Sequence, residues 1–250
     1  MERIESLEDP RCPAPSGSAV CWGVFDGIHC GHAALMGLLV RRARERGLRS
    51  VALLFLDHPA EVLAGCAVPR LTSVEQRLRH LAELGLDVAL TLRFDRQLAA
   101  VEPAEFIRKI LVGTLRARFV AAGPDTRFGK GAAGDGKLLR ETGRILGFEV
   151  EAAPTVLSGG EPVRSTRIRR LVSEGEMRAA ADLLGRPFEL EGRVRSGDGR
   201  GRGLGFPTAN LEAGQMLPAY GVYAAWAVLE DSRRFPAAVN VGLRPTFGVA

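Results

Sequence analysis

Two of the chain's four histidines, His29 and His32, are separated by one cysteine and one glycine. They follow a Phe-Asp-Gly turn at residues 25–27, which itself follows a short apolar run at residues 19–24 that predicts a buried strand. The first N–H groups of a helix lack partners and lie at the positive end of its dipole, so they favour anions. Imidazole donors beside them can stabilise the negative charge on a phosphorus atom under attack. The pattern predicts a nucleotide-phosphate site; the alternative is a turn that merely contains two histidines.

A second group of phosphate-binding residue types occupies residues 164–169, Arg-Ser-Thr-Arg-Ile-Arg. The Ser165 and Thr166 hydroxyls precede a helical pattern, so they can cap a helix and also donate to phosphate. Arg169 adds positive charge. The alternative is an ordinary helix N-cap with a solvated basic face; beside the histidine motif, the segment predicts a second wall for a triphosphate.

Two further segments could hold an aromatic ligand. The loop at residues 123–130 follows a predicted strand and contains Asp125 and Phe128, whose side chains could bind such a ligand, or it could be a simple connection. His58 follows another predicted strand and either faces the same cleft or belongs to a surface turn.

A glycine-rich segment at residues 199–210 ends in Phe-Pro-Thr-Ala-Asn. Its glycines permit close approach to a phosphate, and Thr208 and Asn210 could supply the oxygen ligands that Mg²⁺ prefers. The segment lacks the Gly-Lys-Ser/Thr of a Walker A motif.

The elements that must position these residues alternate between strand and helix. The strands are predicted at residues 19–24, 50–56, 88–92, 119–122 and 148–152. The helices are predicted at residues 32–46, 73–85, 103–111, 137–146, 166–172 and 176–184. Five strands alternating with helices predict a doubly wound α/β domain with a parallel sheet, in which ligands bind beyond the carboxyl ends of the strands.

The pattern changes near residue 185. β-rich runs at residues 188–195, 221–229 and 236–241, separated by Gly, Pro and Asn, predict a small sheet or barrel. The predicted division is therefore a flexible N-terminus at 1–18, a nucleotide-binding domain at 19–185 and a β-rich domain at 186–250.

Composition narrows the partners and the compartment. The net charge is +5, and only three of the 34 basic residues are lysines. This charge gives weak support for nucleic-acid binding, so we expect no nucleic-acid partner. The four cysteines form no CxxC pair, the N-terminus lacks the apolar core of a signal peptide, and no apolar run reaches membrane-spanning length. These features predict a cytoplasmic protein that binds no membrane.

Together these motifs resemble the bacterial bifunctional riboflavin kinases/FMN adenylyltransferases, also called FAD synthetases. The family's GxFDGxHxGH motif corresponds to residues 23–32, its GxDFxFG loop to 123–129 and its SSTxIR motif to 164–169. Its kinase motifs GRxxGFPTAN and NxGxxPTF correspond to residues 201–210 and 240–247. The resemblance thus covers nearly the whole chain.

The resemblance implies two reactions and a role for each matching residue. A C-terminal kinase barrel phosphorylates riboflavin with ATP and Mg²⁺ to give FMN. The N-terminal nucleotidyltransferase domain then transfers AMP from a second ATP to FMN, giving FAD and pyrophosphate. The implied residues are His29 and His32 as catalytic groups; Gly23, Phe25, Asp26, Gly31, Ser165, Thr166 and Arg169 for ATP; His58, Asp125 and Phe128 for the flavin; and Gly201, Gly205, Thr208 and Asn210 for ATP and magnesium in the kinase, with Thr208 as the metal ligand.

The chain departs from the family pattern at several positions. Thr126 replaces the aromatic residue after the loop aspartate, Arg164 replaces the first serine of SSTxIR, and residues 55–59 read FLDHP where the family has FDPHP. We expect these changes to alter details of the adenylyl site without removing its core.

The fourth departure is the end of the chain at Ala250, just after the PTF motif. The family continues with further strands, a catalytic glutamate and a C-terminal helix. The resemblance therefore predicts a competent adenylyl site, an inactive or unfolded kinase, and an incomplete barrel whose open edge allows self-association.

The sequence is compatible with two alternative functions. The chain could be another HxGH nucleotidyltransferase with a different phosphate acceptor, although those enzymes carry no PTAN-containing barrel. It could instead be a non-catalytic module that binds a flavin or a nucleotide.

Overall fold

The computed structural model describes residues 1–9, 11–12, 16–195 and 208–242. It divides into two compact units, Met1–Ser165 and Thr166–Ala250. None of the helices in these described ranges is long and apolar enough to cross a membrane.

A six-stranded parallel sheet forms the centre of the first unit. The unit's strands in chain order are β1 (Glu2–Ile4), β2 (Ser18–Gly23), β3 (Arg49–Phe55), β4 (Val88–Leu92), β5 (Ala117–Ala122), β6 (Arg127–Phe128), β7 (Gly134–Asp135), β8 (Glu149–Ala152), β9 (Leu157–Ser158) and β10 (Glu161–Pro162). The sheet order is β1-β4-β3-β2-β5-β8, and the pairs β6/β7 and β9/β10 lie outside it.

Helices connect the strands of this sheet. They are α1 (Cys30–Glu45), α2 (Pro59–Ala64), α3 (Val74–Glu83), α4 (Arg96–Ala99), α5 (Pro103–Glu105), which continues as a π-helix over Phe106–Thr114, and α6 (Gly136–Leu146). The predicted helices in this unit therefore form at the expected places, with ends shifted by a few residues, except that the third continues as a π-helix.

The chain reverses its direction across the sheet between β2 and β5. From β2 it moves outward through β3 and β4, and it then returns to the other side of β2 with β5. In doubly wound sheets the ligand crevice lies at this reversal, outside the carboxyl ends of the two strands. The turn at residues 25–27 follows β2, and the loop containing Asp125 follows β5, so the topology brings both predicted segments to one point.

Strand β1 is absent from the sequence-based prediction, which gives five strands instead of six. It pairs in parallel with β4, and Ile4 is 1% exposed. The strand has only three residues, two of them charged, so no apolar run marks it in the sequence. It forms because β4 provides backbone hydrogen-bond partners at the edge of the sheet.

The core lies on both faces of the sheet because successive strand residues point to opposite sides. On β2, Val20 packs in the cluster that includes the π-helix and α6, whereas Ala19 and Cys21 pack in the cluster that includes α1. Leu81 of α3 joins α1 in the second cluster. Helices therefore cover both faces, as predicted for a doubly wound domain.

The second unit begins inside α7 (Ser165–Ser173) and continues with α8 (Met177–Leu184). Its described strands form two antiparallel pairs, β11 (Gly192–Arg195) with β12 (Asn210–Ala213) and β13 (Gly221–Val228) with β14 (Arg234–Val241). The predicted β-rich runs therefore contain strands, although residues 188–191 precede β11 as irregular backbone. The structure is of mixed α/β class, with the six-stranded parallel sheet in the first unit and antiparallel pairs in both units.

Candidate nucleotide-binding site

The turn after β2 has a strained backbone. Phe25 and Ile28 have positive φ angles of 51° and 38°, which non-glycine residues rarely adopt, and Gly27 has a φ of 88°. The Phe25 and Ile28 side chains are 4% and 3% exposed, so the core holds both in place. Strain of this kind persists where the surroundings over-determine the backbone, and it concentrates at functional sites.

Asp26 fixes this turn to a distant segment. Its carboxylate is buried and accepts hydrogen bonds from the Leu71 N–H at 3.0 Å and from the Thr72 N–H at 3.1 Å. The Thr72 hydroxyl donates to the same carboxylate at 3.0 Å and accepts from the Gly27 N–H at 2.9 Å. The contact of Asp26 with ATP stays a prediction, while its carboxylate binds protein donors.

His29 caps helix α1, which begins at the next residue. Its backbone is extended, and its Nδ1 accepts a hydrogen bond from the His32 N–H at 3.3 Å. A neutral imidazole that accepts at Nδ1 carries its proton on Nε2, so the ring keeps a donor at its far edge. The motif therefore begins the helix as predicted, two residues earlier than the helical pattern alone indicates.

The two imidazole rings are stacked on each other. Their centroids are 3.7 Å apart with 15° between the ring planes, and the Phe25 ring meets His32 edge-on at 5.3 Å. Gly31 makes this arrangement possible: a Cβ there would lie 3.1 Å from His29 Cε1 and 3.2 Å from its Nδ1. Gly23 similarly leaves room for Phe25, since a Cβ there would lie 2.9 Å from that ring.

A buried arginine, Arg77, joins the carboxyl ends of β2 and β3. Its Nη1 donates to the Val24 carbonyl at 2.7 Å and to the Phe55 carbonyl at 3.1 Å. Burial lowers the pKa of Arg77, and the negative charge of Asp26 opposes that shift. No signal in the sequence identifies Arg77, because a charged residue on a helix normally indicates the solvent face.

The segment at residues 163–165 lies against the turn. The Ser165 hydroxyl donates to the Asp26 carbonyl at 2.8 Å, and the Val163 carbonyl lies 3.5 Å from the Cβ position of Gly31. The predicted second wall thus meets the histidine motif at Ser165. Thr166 and Arg169 follow on α7, at the start of the second unit.

The loop after β5 contributes one exposed and one buried residue. Asp125 is exposed and forms an ion pair with Arg164, with 2.5 Å between the Asp125 Oδ2 and the Arg164 Nη2. Phe128 is 6% exposed and packs edge-on against Trp22 at 5.5 Å, beside Phe106 at 5.6 Å. The Phe128 ring therefore anchors the loop in the core, and its contact with a flavin stays a prediction.

His58 is the N-cap of the short helix α2. Its Nδ1 accepts from the Ala60 N–H at 3.2 Å, and the Glu61 carboxylate accepts from the His58 N–H at 3.3 Å. This reciprocal pair is a capping box, which fixes the imidazole at the beginning of the helix. Its proposed contact with the flavin stays a prediction.

The residues predicted for the kinase belong to the second unit. Thr208 is exposed, and Asn210 begins β12 opposite Arg195. Gly201, Gly205 and residues 243–247 of the second kinase motif lie outside the described residues. Within the described ranges, no group of three His, Cys, Asp or Glu side chains could hold a metal ion.

Comparison with protein families divides the chain into two matches. The family described as FAD synthetase matches residues 12–167, and the family described as riboflavin kinase matches residues 184–250.

Individual proteins agree with this result. The chain is 39% identical to the bifunctional riboflavin kinase/FMN adenylyltransferase of Escherichia coli strain K12, over 98% of this chain and 79% of that protein. It is 35% identical to the enzyme of the same name from Pseudomonas fluorescens, over 98% of this chain and 79% of that protein. A crystal structure described as a macrolide-efflux protein from Streptococcus pneumoniae superposes with a TM-score of 0.87 at 30% identity, covering 98% of this chain and 80% of that one.

Proposed function

The chain belongs to the family of bifunctional riboflavin kinases/FMN adenylyltransferases, and we propose that its first unit makes FAD at the carboxyl ends of β2 and β5. It is an enzyme of FAD biosynthesis, supported by the FAD synthetase match over residues 12–167. In the proposed reaction, a phosphate oxygen of FMN attacks the α-phosphorus of ATP. A new P–O bond forms, the bond between the α-phosphorus and the bridging oxygen breaks, and pyrophosphate leaves.

One observation carries this proposal: His29 and His32 lie stacked at the N-terminus of α1, 3.7 Å apart, at the point where the sheet order reverses. The positive end of the helix dipole and the two imidazole rings suit this point to an anion. Adenylyl transfer needs donors for the charge that develops on the α-phosphoryl oxygens, and it needs no covalent protein intermediate. Holding both reactants in one cleft could supply about 7–11 kcal/mol of the barrier reduction.

We assign the ATP side to the residues around this helix terminus. His29 and His32 donate to the phosphates, and Gly31 leaves room for the His29 ring. Ser165, whose hydroxyl donates a hydrogen bond to the Asp26 carbonyl, lies beside the turn. The remaining residues of the proposed ATP site are Gly23, Phe25, Asp26, Thr166 and Arg169.

The flavin side of the proposal is the loop after β5. Asp125 is exposed there, and Phe128 keeps the loop attached to the core through its contact with Trp22. His58 lies beyond the carboxyl end of β3, next to β2 in the sheet. Both loops lie beyond the carboxyl ends of parallel strands, which is where such sheets bind ligands, and this position supports a ligand role for each.

We propose that the kinase residues are Gly201, Gly205, Thr208 and Asn210, within a domain that begins near residue 186. The riboflavin kinase match from residue 184 supports this division. The hydroxyl of Thr208 and the amide oxygen of Asn210 suit Mg²⁺, which prefers oxygen ligands and commonly shares them with phosphates. When bound, the ion would neutralise phosphate charge on ATP. Self-association through this domain stays a prediction.

The compartment is also a proposal. All four cysteines are free thiols, and unpaired thiols are typical of the reducing cytoplasm. We therefore propose that the enzyme works there, on ATP, FMN and riboflavin.

The test is product analysis with separate acceptors. The chain is incubated with ATP and Mg²⁺ and with either FMN or riboflavin, and the flavins are separated by chromatography. FAD and an equal amount of pyrophosphate from FMN support adenylyl transfer. FMN from riboflavin supports the kinase activity and overturns the expectation that the kinase is inactive in this chain. Flavin binding without product would favour a non-catalytic module, and AMP transfer only to another phosphate ester would favour a different nucleotidyltransferase.

A further inference from the structure

Both neighbours of Arg164 in the chain lie against the segment at residues 26–31 that follows β2. On one side, the Val163 carbonyl lies 3.5 Å from the Cβ position of Gly31. On the other, the Ser165 hydroxyl donates to the Asp26 carbonyl at 2.8 Å. The backbone of Arg164 is therefore fixed beside the histidine motif, while its own side chain is 62% exposed.

The side chain extends toward the loop after β5. Its Nη2 lies 2.5 Å from the Asp125 Oδ2, and the Asp125 side chain is 70% exposed. The pair thus joins the segment beside the β2 turn to the loop beyond β5. These two strands flank the reversal of the sheet, the place where doubly wound sheets bind their ligands.

The charges of Arg164 and Asp125 bear on how an acceptor phosphate would bind. The acceptor in adenylyl transfer is a phosphate monoester with nearly two negative charges, and an unneutralised Asp125 carboxylate would repel it. An exposed ion pair is weak because water competes for both partners. An incoming phosphate can therefore displace the carboxylate, and it offers the planar guanidinium fork two oxygens at once.

We propose that Arg164 binds the phosphate of the acceptor in the adenylyl site, exchanging the Asp125 carboxylate for that phosphate. Arg164 is then a specificity-determining residue that selects a phosphorylated flavin, and Asp125 holds its side chain across the cleft until the acceptor arrives. The inference rests on the proposed adenylyl-transfer function. Arg164 stands where the SSTxIR motif has a serine, so Arg164→Ser restores the residue of the motif.

The experiment measures adenylylation kinetics of the full chain and of Arg164→Ser and Arg164→Lys, varying FMN and ATP separately. The matched control is Arg233→Ser, which removes an equally exposed arginine paired with Asp231 at 2.7 Å, distant in sequence from the motif. We expect Arg164→Ser to raise the KM for FMN by about tenfold, the usual effect of losing a charge-assisted hydrogen bond at an exposed site. The KM for ATP and the kcat should stay within about twofold.

The lysine variant keeps the positive charge but lacks the two parallel N–H donors of the guanidinium. Its KM for FMN should therefore lie between those of the wild type and the serine variant. The rise should also shrink as salt concentration increases, because salt screens exposed charges. A KM for FMN within twofold of wild type in Arg164→Ser, or a rise confined to the KM for ATP, overturns the inference. Absence of FAD synthesis by the wild-type chain would instead refute the proposed function.

Discussion

The Thr72 hydroxyl donates a 3.0 Å hydrogen bond to the Asp26 carboxylate, across 46 residues of sequence. The same oxygen accepts from the Gly27 N–H, so one side chain holds both the Asp26 carboxylate and the backbone of the turn after β2. This turn contains two non-glycine residues with positive φ, Phe25 and Ile28. The strained conformation is therefore stabilised from outside, by a segment that comes between β3 and β4 in the chain.

Replacing Thr72 by valine should destabilise the protein and impair adenylyl transfer together. The variant keeps the shape but leaves the buried Asp26 carboxylate and the Gly27 N–H each short of one partner, which should cost about 1–3 kcal/mol. Urea unfolding monitored by circular dichroism measures this change. Thr72→Ser keeps the hydroxyl and serves as the control; a valine variant as stable as the serine variant would contradict the assigned hydrogen bonds.

Replacing His29 by alanine should lower the rate of FAD formation on the order of a hundredfold or more. Loss of one donor to the charge developing in a transition state typically costs about 3–4 kcal/mol. The change also removes the cap of α1, which should reduce the free energy of unfolding by about 1 kcal/mol. Rates measured at saturating substrate separate the two effects, provided a thermal melt shows a folded variant. A rate near that of the wild type would exclude His29 from the reaction.

Glycines Gly31 and Gly37 of helix α1 provide a matched pair of alanine substitutions. A Cβ at position 31 would lie 3.1 Å from the His29 ring, whereas nothing lies within 4 Å of one at position 37. Gly37→Ala should stabilise the helix by up to about 1 kcal/mol and leave the kinetics unchanged. Gly31→Ala should push the His29 ring away from His32 and lower kcat/KM by about tenfold or more.

The kinetics of both variants are measured with FMN and ATP. The result that would count against the ring arrangement is equal activity of the two variants. Reduced activity in both would instead point to a general sensitivity of α1 to added side chains.

Much of the first unit could be predicted from the sequence because its signals are local. The strand, turn and helix around His29 and His32 depend on a run of neighbouring residues, and the capping box of Ser73 and Gln76 forms between residues three positions apart. Hydrophobic periodicity similarly gave five of the six strands. The family motifs predicted the reaction, because the reaction requires their residue types at that spacing.

The tertiary structure decided which of the predicted site residues have their side chains engaged by the protein itself. Asp26 bonds to Leu71 and Thr72, Phe128 packs on Trp22, and the buried Arg77 joins two strand ends. Each of these contacts joins residues far apart in the chain, and residue type alone does not reveal the partner. The pairing of Arg164 with Asp125 is of the same kind, because it exists only where the sheet brings β2 and β5 together. The sequence by itself determined the family and its reaction. Long-range contacts determined the geometry of the segment around His29 and His32, since burial and hydrogen-bond partners depend on how distant segments pack.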